Sequence, residues 1–202
     1  MKKFITLALA LCMALSASVC AYAAEIDTDG GSGSTPVYLS STEDGTMEGE
    51  PSATAMSVTV PTALPMAMSQ TGDVTTADNC QIINNSYGAV RVKSVTISAE
   101  NGWRLTAFGD KSTLASEKVD SNQLGFAICI GDGEWAVTDS SNESAQALIS
   151  APIDGCYMSG AGNTSGNTVS VDYSAIVTPL SAPVTNANIA NVVFVIEWDT
   201  AA

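Results

Sequence analysis

Histidine is absent from this chain. With it go the commonest general base near neutral pH, every Ser-His-Asp and Cys-His arrangement, and the commonest zinc ligand. Glycine-rich phosphate loops of the Walker or dinucleotide type are missing as well, so the usual nucleotide sites are excluded. Cations are scarce: Lys and Arg number 7 against 21 Asp and Glu, for a net charge of −14. Such a chain is repelled by phosphate backbones and anionic lipid, which argues against nucleic-acid partners and electrostatic membrane docking. Helix-period apolar patterning is almost lacking. Only residues 144–150 read as helix, with Ala145, Leu148 and Ile149 at helical spacing.

The N-terminus carries an export pattern. Lys2 and Lys3 precede an uncharged Ala- and Leu-rich run from Phe4 to Val19, and Ala21-Tyr22-Ala23 supplies small residues at the minus-three and minus-one positions. The expectation is a signal peptide over 1–23, cleaved after Ala23. The run is too short for a membrane span, so no transmembrane segment is expected once it is removed. Neither Cys12 nor Cys20 follows the small residue that lipidation requires. Cleavage removes two cations and no acid, leaving Arg91, Lys93, Arg104, Lys111 and Lys118 as the basic residues.

Residues 24–55 are acidic and rich in Gly, Ser and Thr, with too little apolar surface to offset ordering, and read as a flexible linker. Pro36-Val37-Tyr38-Leu39-Ser40 is a β-favouring island within it. Asp27-Thr28-Asp29-Gly30 opens like a calcium loop but lacks later ligands at loop spacing.

From residue 56 to 202 the pattern becomes short alternating strands separated by Gly, Asn and Asp turns. Val90 and Val92 share one parity and Val95, Ile97 and Ala99 the other. A one-residue slip at Lys93-Ser94 predicts a single strand bent by a β-bulge. Leu124, Phe126, Ile128 and Ile130 alternate, as do Val169, Val171, Tyr173, Ala175 and Val177. Val192, Phe194, Ile196 and Trp198 oppose Val193 and Val195, which predicts a central strand. The fold class expected is all-β: an antiparallel two-sheet sandwich of immunoglobulin-like or Greek-key type.

Little chemistry remains available. A carboxylate pair of the glycosidase kind could be drawn from Asp132, Glu134 and Asp139, but acids beside glycine commonly just form solvated turns. Cys129 lies in an apolar alternating stretch without a nearby cation to activate it. Cys80, Cys129 and Cys156 survive processing, an odd number that permits at most one internal disulfide. Their spacing has no metal-knuckle pattern, and neither a metal nor another cofactor is expected. Asn84, Asn142 and Asn163 match the glycosylation acceptor pattern and read as turn residues. The expectation is a protein that is not an enzyme.

Trp103-Arg104-Leu105, following a Val-rich strand and an Asn-Gly turn, resembles the first motif of the WxL domain found on cell-wall-associated proteins of Gram-positive bacteria. Ile196-Glu197-Trp198 falls where that family has its second tryptophan motif. Asp199 and Thr200 follow Trp198, so the second motif lacks its leucine, and Val192 stands in place of a usual tyrosine. The resemblance spans roughly residues 56–200 and implies a secreted, cell-surface protein attached non-covalently to peptidoglycan or to other surface proteins. W-x-L spacing puts Trp103 and Leu105 on one strand face, about 7 Å apart, either filling a core or forming a stacking platform. Trp103, Leu105, Trp135 and Trp198 are the candidate binding residues, with Trp135 the best placed for an exposed contact. The chain also resembles, more loosely, secreted β-sandwich subunits of biofilm fibres. That implies the alternative role of a structural subunit that self-assembles by strand addition.

Overall fold

A computed structural model describes residues 23–35 and 55–200. The described residues are all-β apart from one helical turn, α1 (Ser112–Ala115). In chain order the strands are β1 (Ala23–Ile26), β2 (Ser32–Thr35), β3 (Val58–Pro61), β4 (Met66–Met68), β5 (Val74–Thr76), β6 (Gln81–Asn84) and β7 (Val90–Ala99). They continue with β8 (Arg104–Leu105), β9 (Gln123–Ile130), β10 (Ala136–Val137), β11 (Ala145–Ile149), β12 (Tyr157–Met158), β13 (Thr168–Val177) and β14 (Ala190–Trp198).

Seven strands form one sheet in the order β1-β3-β6-β13-β9-β10, with β8 also pairing β9. Five form a second in the order β11-β7-β14-β2, with β12 also on β7, while β4 and β5 make a separate hairpin. Every pairing is antiparallel except β8 with β9. Both large sheets feed one apolar core. Val90, Val92, Val95, Ile97, Val192, Phe194 and Ile196 come from one sheet, and Val58, Ile82, Leu124, Phe126, Ile128, Val171 and Tyr173 from the other. Each large side chain fully buried here contributes about 1.5–3 kcal/mol of transfer free energy.

The two parities of β7 are reconciled by an extra residue at the expected place. Ser94 pairs Val195 and Val92 pairs Ile196, so Lys93 has no partner of its own in β14. This bulge keeps Val90 and Val92 buried together with Val95 and Ile97. The consequence is counter-intuitive. Deleting Lys93 joins the two halves in one phase, and the variant is expected to fold with a stability loss under about 1 kcal/mol, mostly its ion pair with Glu197. Deleting Thr96 instead throws Val95 and Ile97 out of phase and is expected to prevent folding. Thermal unfolding followed by circular dichroism compares the two.

Two expectations are corrected. Residues 144–150 contain a strand, not a helix: Ala145–Ile149 pairs β7, with an extra residue at Leu148. The stretch 24–55, read as a flexible linker, begins with paired strands. β1 runs along β3, and β2 runs along β14. Local composition is poor in β-formers there, and the open edges of β3 and β14 supply the pairing that local propensity does not. The signal peptide expected over 1–23, apart from Ala23 itself, and residues 36–54, including the island Pro36–Ser40, lie outside the described residues.

Candidate binding surface

Trp103 and Leu105 both turn toward the interior, whereas Arg104 between them is exposed. Leu105 is only 1% exposed and belongs to the core, so it offers a ligand no surface. Trp103 is half-buried, packed against the core, and lines a cleft of about 1100 Å³. The cleft is bounded by the β4–β5 hairpin on one side and residues 180–190 on the other; Leu64, Met66, Phe126 and Ile189 are among its apolar walls.

Tyr173 fastens the hairpin side of this cleft. Its phenol donates a 2.6 Å hydrogen bond to the Pro65 carbonyl and accepts one of 3.2 Å from the Ala77 N–H. Burial, the largest cause, pushes its pKa up to about 12. The unfolded chain releases this proton near pH 10, so ionisation above that pH favours unfolding. Stability is therefore expected to be intact below pH 10 and to fall by about 1 kcal/mol per pH unit between pH 10 and 12. Tyr173→Phe costs stability at pH 8, because two backbone groups lose their partner, and flattens this alkaline loss. Urea midpoints at pH 8 and 11 for both proteins measure the effect.

Trp198 is half-buried and lies over Gly88, where an added Cβ would come within 2.9 Å of its ring. Only glycine leaves room for the indole. Beside it, Arg91 Nε donates to Glu197 at 2.8 Å and Lys93 Nζ lies 3.0 Å from the other carboxylate oxygen. These cations, Lys93 foremost, hold the Glu197 carboxyl below the usual carboxylate range.

Trp135 is different. It is 52% exposed, and Val137, two residues on in β10, is exposed too. The turn that carries it is rigidly seated by three glycines. Gly133 and Gly155 are in backbone contact: a Cβ on Gly133 would sit 2.3 Å from the Asp154 carbonyl oxygen, and one on Gly155 2.2 Å from that of Ile130. A Cβ on Gly131 would likewise meet the Gly155 carbonyl at 2.8 Å. From this junction the chain leads to Trp135 on one side and to exposed Tyr157 on the other. A large aromatic held exposed on a fixed turn has the character of a contact residue.

Asp132 and Glu134 are exposed on the Trp135 turn. Asp139 is occupied as a turn former, its carboxylate accepting the Ser141 N–H at 2.7 Å, and hydrogen bonding from Ser141 keeps it ionised. Burial, reinforced by Asp172 and Asp132, raises the Cys129 thiol and weakens it as a nucleophile. Cys80, Cys129 and Cys156 are all free thiols. Among the described residues no group of three or more potential ligands is placed to hold a metal ion. Among them, too, no helix is long and apolar enough to cross a membrane. Asn142 and Asn163 are exposed, but Asn84 is fully buried and hydrogen-bonded.

No protein-family model, curated protein or solved structure matches the chain. Sequence reading missed the glycine junction and the strands of 23–35. The Gly-Asp-Gly turn around Asp132 was its one visible trace.

Proposed function

We propose that the chain is an exported, non-catalytic protein of the bacterial cell surface that acts by contact, holding to peptidoglycan or to other surface proteins. Its two large sheets stack as an immunoglobulin-like sandwich, a reading supported by the single core to which both contribute. The observation that carries the attachment role is Trp135, more than half exposed on a turn locked by glycine packing. Aromatic faces of this kind stack on sugar rings or fill a partner's pocket. Trp103 and Trp198 contribute packing in this view, and Trp135 supplies the contact. Purified mature protein is expected to co-sediment with insoluble Gram-positive peptidoglycan, and Trp135→Ala to abolish this. Full retention of the wild type in the supernatant sinks the wall-binding form of the proposal.

A second reading, a structural subunit of a surface fibre, is favoured by the paired strands within 23–35, which complete an edge of each sheet. Electron microscopy of concentrated mature protein, with and without residues 24–35, tests it. Filaments are expected only from the intact chain.

A further inference from the structure

We infer that residues 24–35 of the mature protein form an exchangeable clasp whose partner is a second copy of this chain, the donated strands seating on β3 and β14 of the neighbour. This deepens the fibre reading and rests on it, naming the donated segment, the receiving edges and the partner.

The clasp is built almost wholly from main-chain pairing. Ala23 to Ile26 run opposite Pro61 to Val58, and Ser32 to Thr35 opposite Val195 to Val192. Between the two strands an exposed connector, Asp27–Gly30, leads to Gly31. Gly31 offers its carbonyl to the Ile196 N–H at 3.0 Å, and the Asp29 carboxylate accepts the Trp198 N–H at 2.8 Å. One continuous segment therefore ties an edge of each sheet. Its sequence is poor in large apolar residues, and β2 reads Ser-Gly-Ser-Thr. Backbone ladders of this kind form equally well with a segment from the same chain or another, which makes exchange of an identical element a low-cost route to association.

Three features favour exchange over permanent closure within one chain. First, the strand that the clasp covers, β14, runs for nine residues, and Val193 and Val195 lie on its face away from the core. An edge of that length is a strong template whenever it is vacated. Second, the expected cleavage after Ala23 takes the first residue of β1 and leaves residues 24–26 of that strand at the free amino terminus, so the clasp can leave and re-seat without threading. Third, residues 36–54 separate the clasp from the core. Their contour length, at most about 68 Å, suffices to reach an adjacent molecule. A donor whose clasp has left presents its own β3 and β14 edges to a further copy, so the contact can propagate.

The register supplies the test. Ile196 and Gly31 are hydrogen-bonded opposite each other, so alternation makes Val193 and Ser34 a pair without ladder bonds, the closer-spaced kind that a disulfide can bridge. Full mature chains carrying Ser34→Cys alone and Val193→Cys alone are mixed, concentrated in salt that screens their mutual repulsion, and oxidised. Mass spectrometry then maps the bonds. The proposal predicts a 34–193 disulfide joining the two chains. A chain with both substitutions serves as the control. If it closes only within itself while the mixture gives no 34–193 bond, the exchange is overturned. If neither sample forms that bond, β2 does not pair β14 and the proposal also falls. Failure here leaves the export and attachment readings intact, since those are judged by cell fractionation and peptidoglycan sedimentation.

Discussion

Replacing Gly155 with alanine is expected to cost about 3 kcal/mol or more, and to loosen the Trp135 turn even where the domain still folds. Two independent effects add. The residue has φ +88°, which an L side chain rarely adopts. The added carbon would also meet backbone on both sides, 2.2 Å from the Ile130 oxygen and 2.7 Å from the Gly133 nitrogen. Neither neighbour can swing aside as a flexible side chain would. Ile130 closes the buried strand β9, so the clash transmits into the core. Gly109→Ala is the matched control, because nothing lies within 4 Å of its Cβ position; it is expected to stay within about 0.5 kcal/mol. Urea unfolding reads the stabilities. Peptidoglycan sedimentation at a temperature where both variants are folded reads the turn. If Trp135 makes the contact, Gly155→Ala weakens binding and Gly109→Ala leaves it unchanged. Equal stability of the two variants would mean that the glycine junction is not closely packed.

Features visible in the sequence were those set by side-chain period alone. The phase slip at Lys93 located the bulge because Val90, Val92, Val95 and Ile97 must all face one core. The alternation of β13 and β14 was legible for the same reason, with Val171, Tyr173, Val192, Phe194 and Ile196 all buried. Where long-range pairing decides, local pattern misleads. Ala145-Gln-Ala-Leu-Ile has good helix formers at helical spacing, yet Ala145, Gln146 and Ala147 lie opposite Ser98, Ile97 and Thr96 in the middle of β7. Tertiary pairing outweighs a propensity difference of a few tenths of a kcal/mol per residue. The strands of 23–35 were invisible because their own residues do little to specify them. The candidate site divides in the same way. Trp135 stood out through its acidic, glycine-rich surroundings, but nothing local shows that Gly131 and Gly133 meet a glycine more than twenty residues later. The Trp-x-Leu motif left a core and a platform both open; Leu105 went into the core and Trp103 packs half-buried against it, because apolar area is more favourably buried than displayed.

Asn84→Asp is expected to destabilise the domain by about 3–5 kcal/mol at pH 7, and by clearly less at pH 4. The side chain is fully buried and makes three hydrogen bonds. Nδ2 donates to the carbonyls of Gly88 and Ser159 at 2.8 and 2.9 Å, and Oδ1 accepts the Ser86 N–H at 2.8 Å. It thereby joins the end of β6 to the loop before β7 and to the residue following β12. A carboxylate in its place faces two carbonyl oxygens with no proton to give, in a site that penalises charge. Its folded pKa must therefore rise above the ordinary value near 4. Stability is then highest where the acid is protonated in both states and declines as pH rises through the folded value. Asn84→Leu removes the same three hydrogen bonds without a charge, costs about 1–3 kcal/mol for each group left unpaired, and carries no such pH dependence. The pH dependence present in the Asp variant and absent from the Leu variant isolates the buried-charge contribution. Because Gly88 underlies the Trp198 indole, both variants should also shift the tryptophan emission, which reports this corner of the fold independently of global unfolding. Two variants with superimposable pH profiles would show that Asn84 is hydrated, and the buried junction would have to be redrawn.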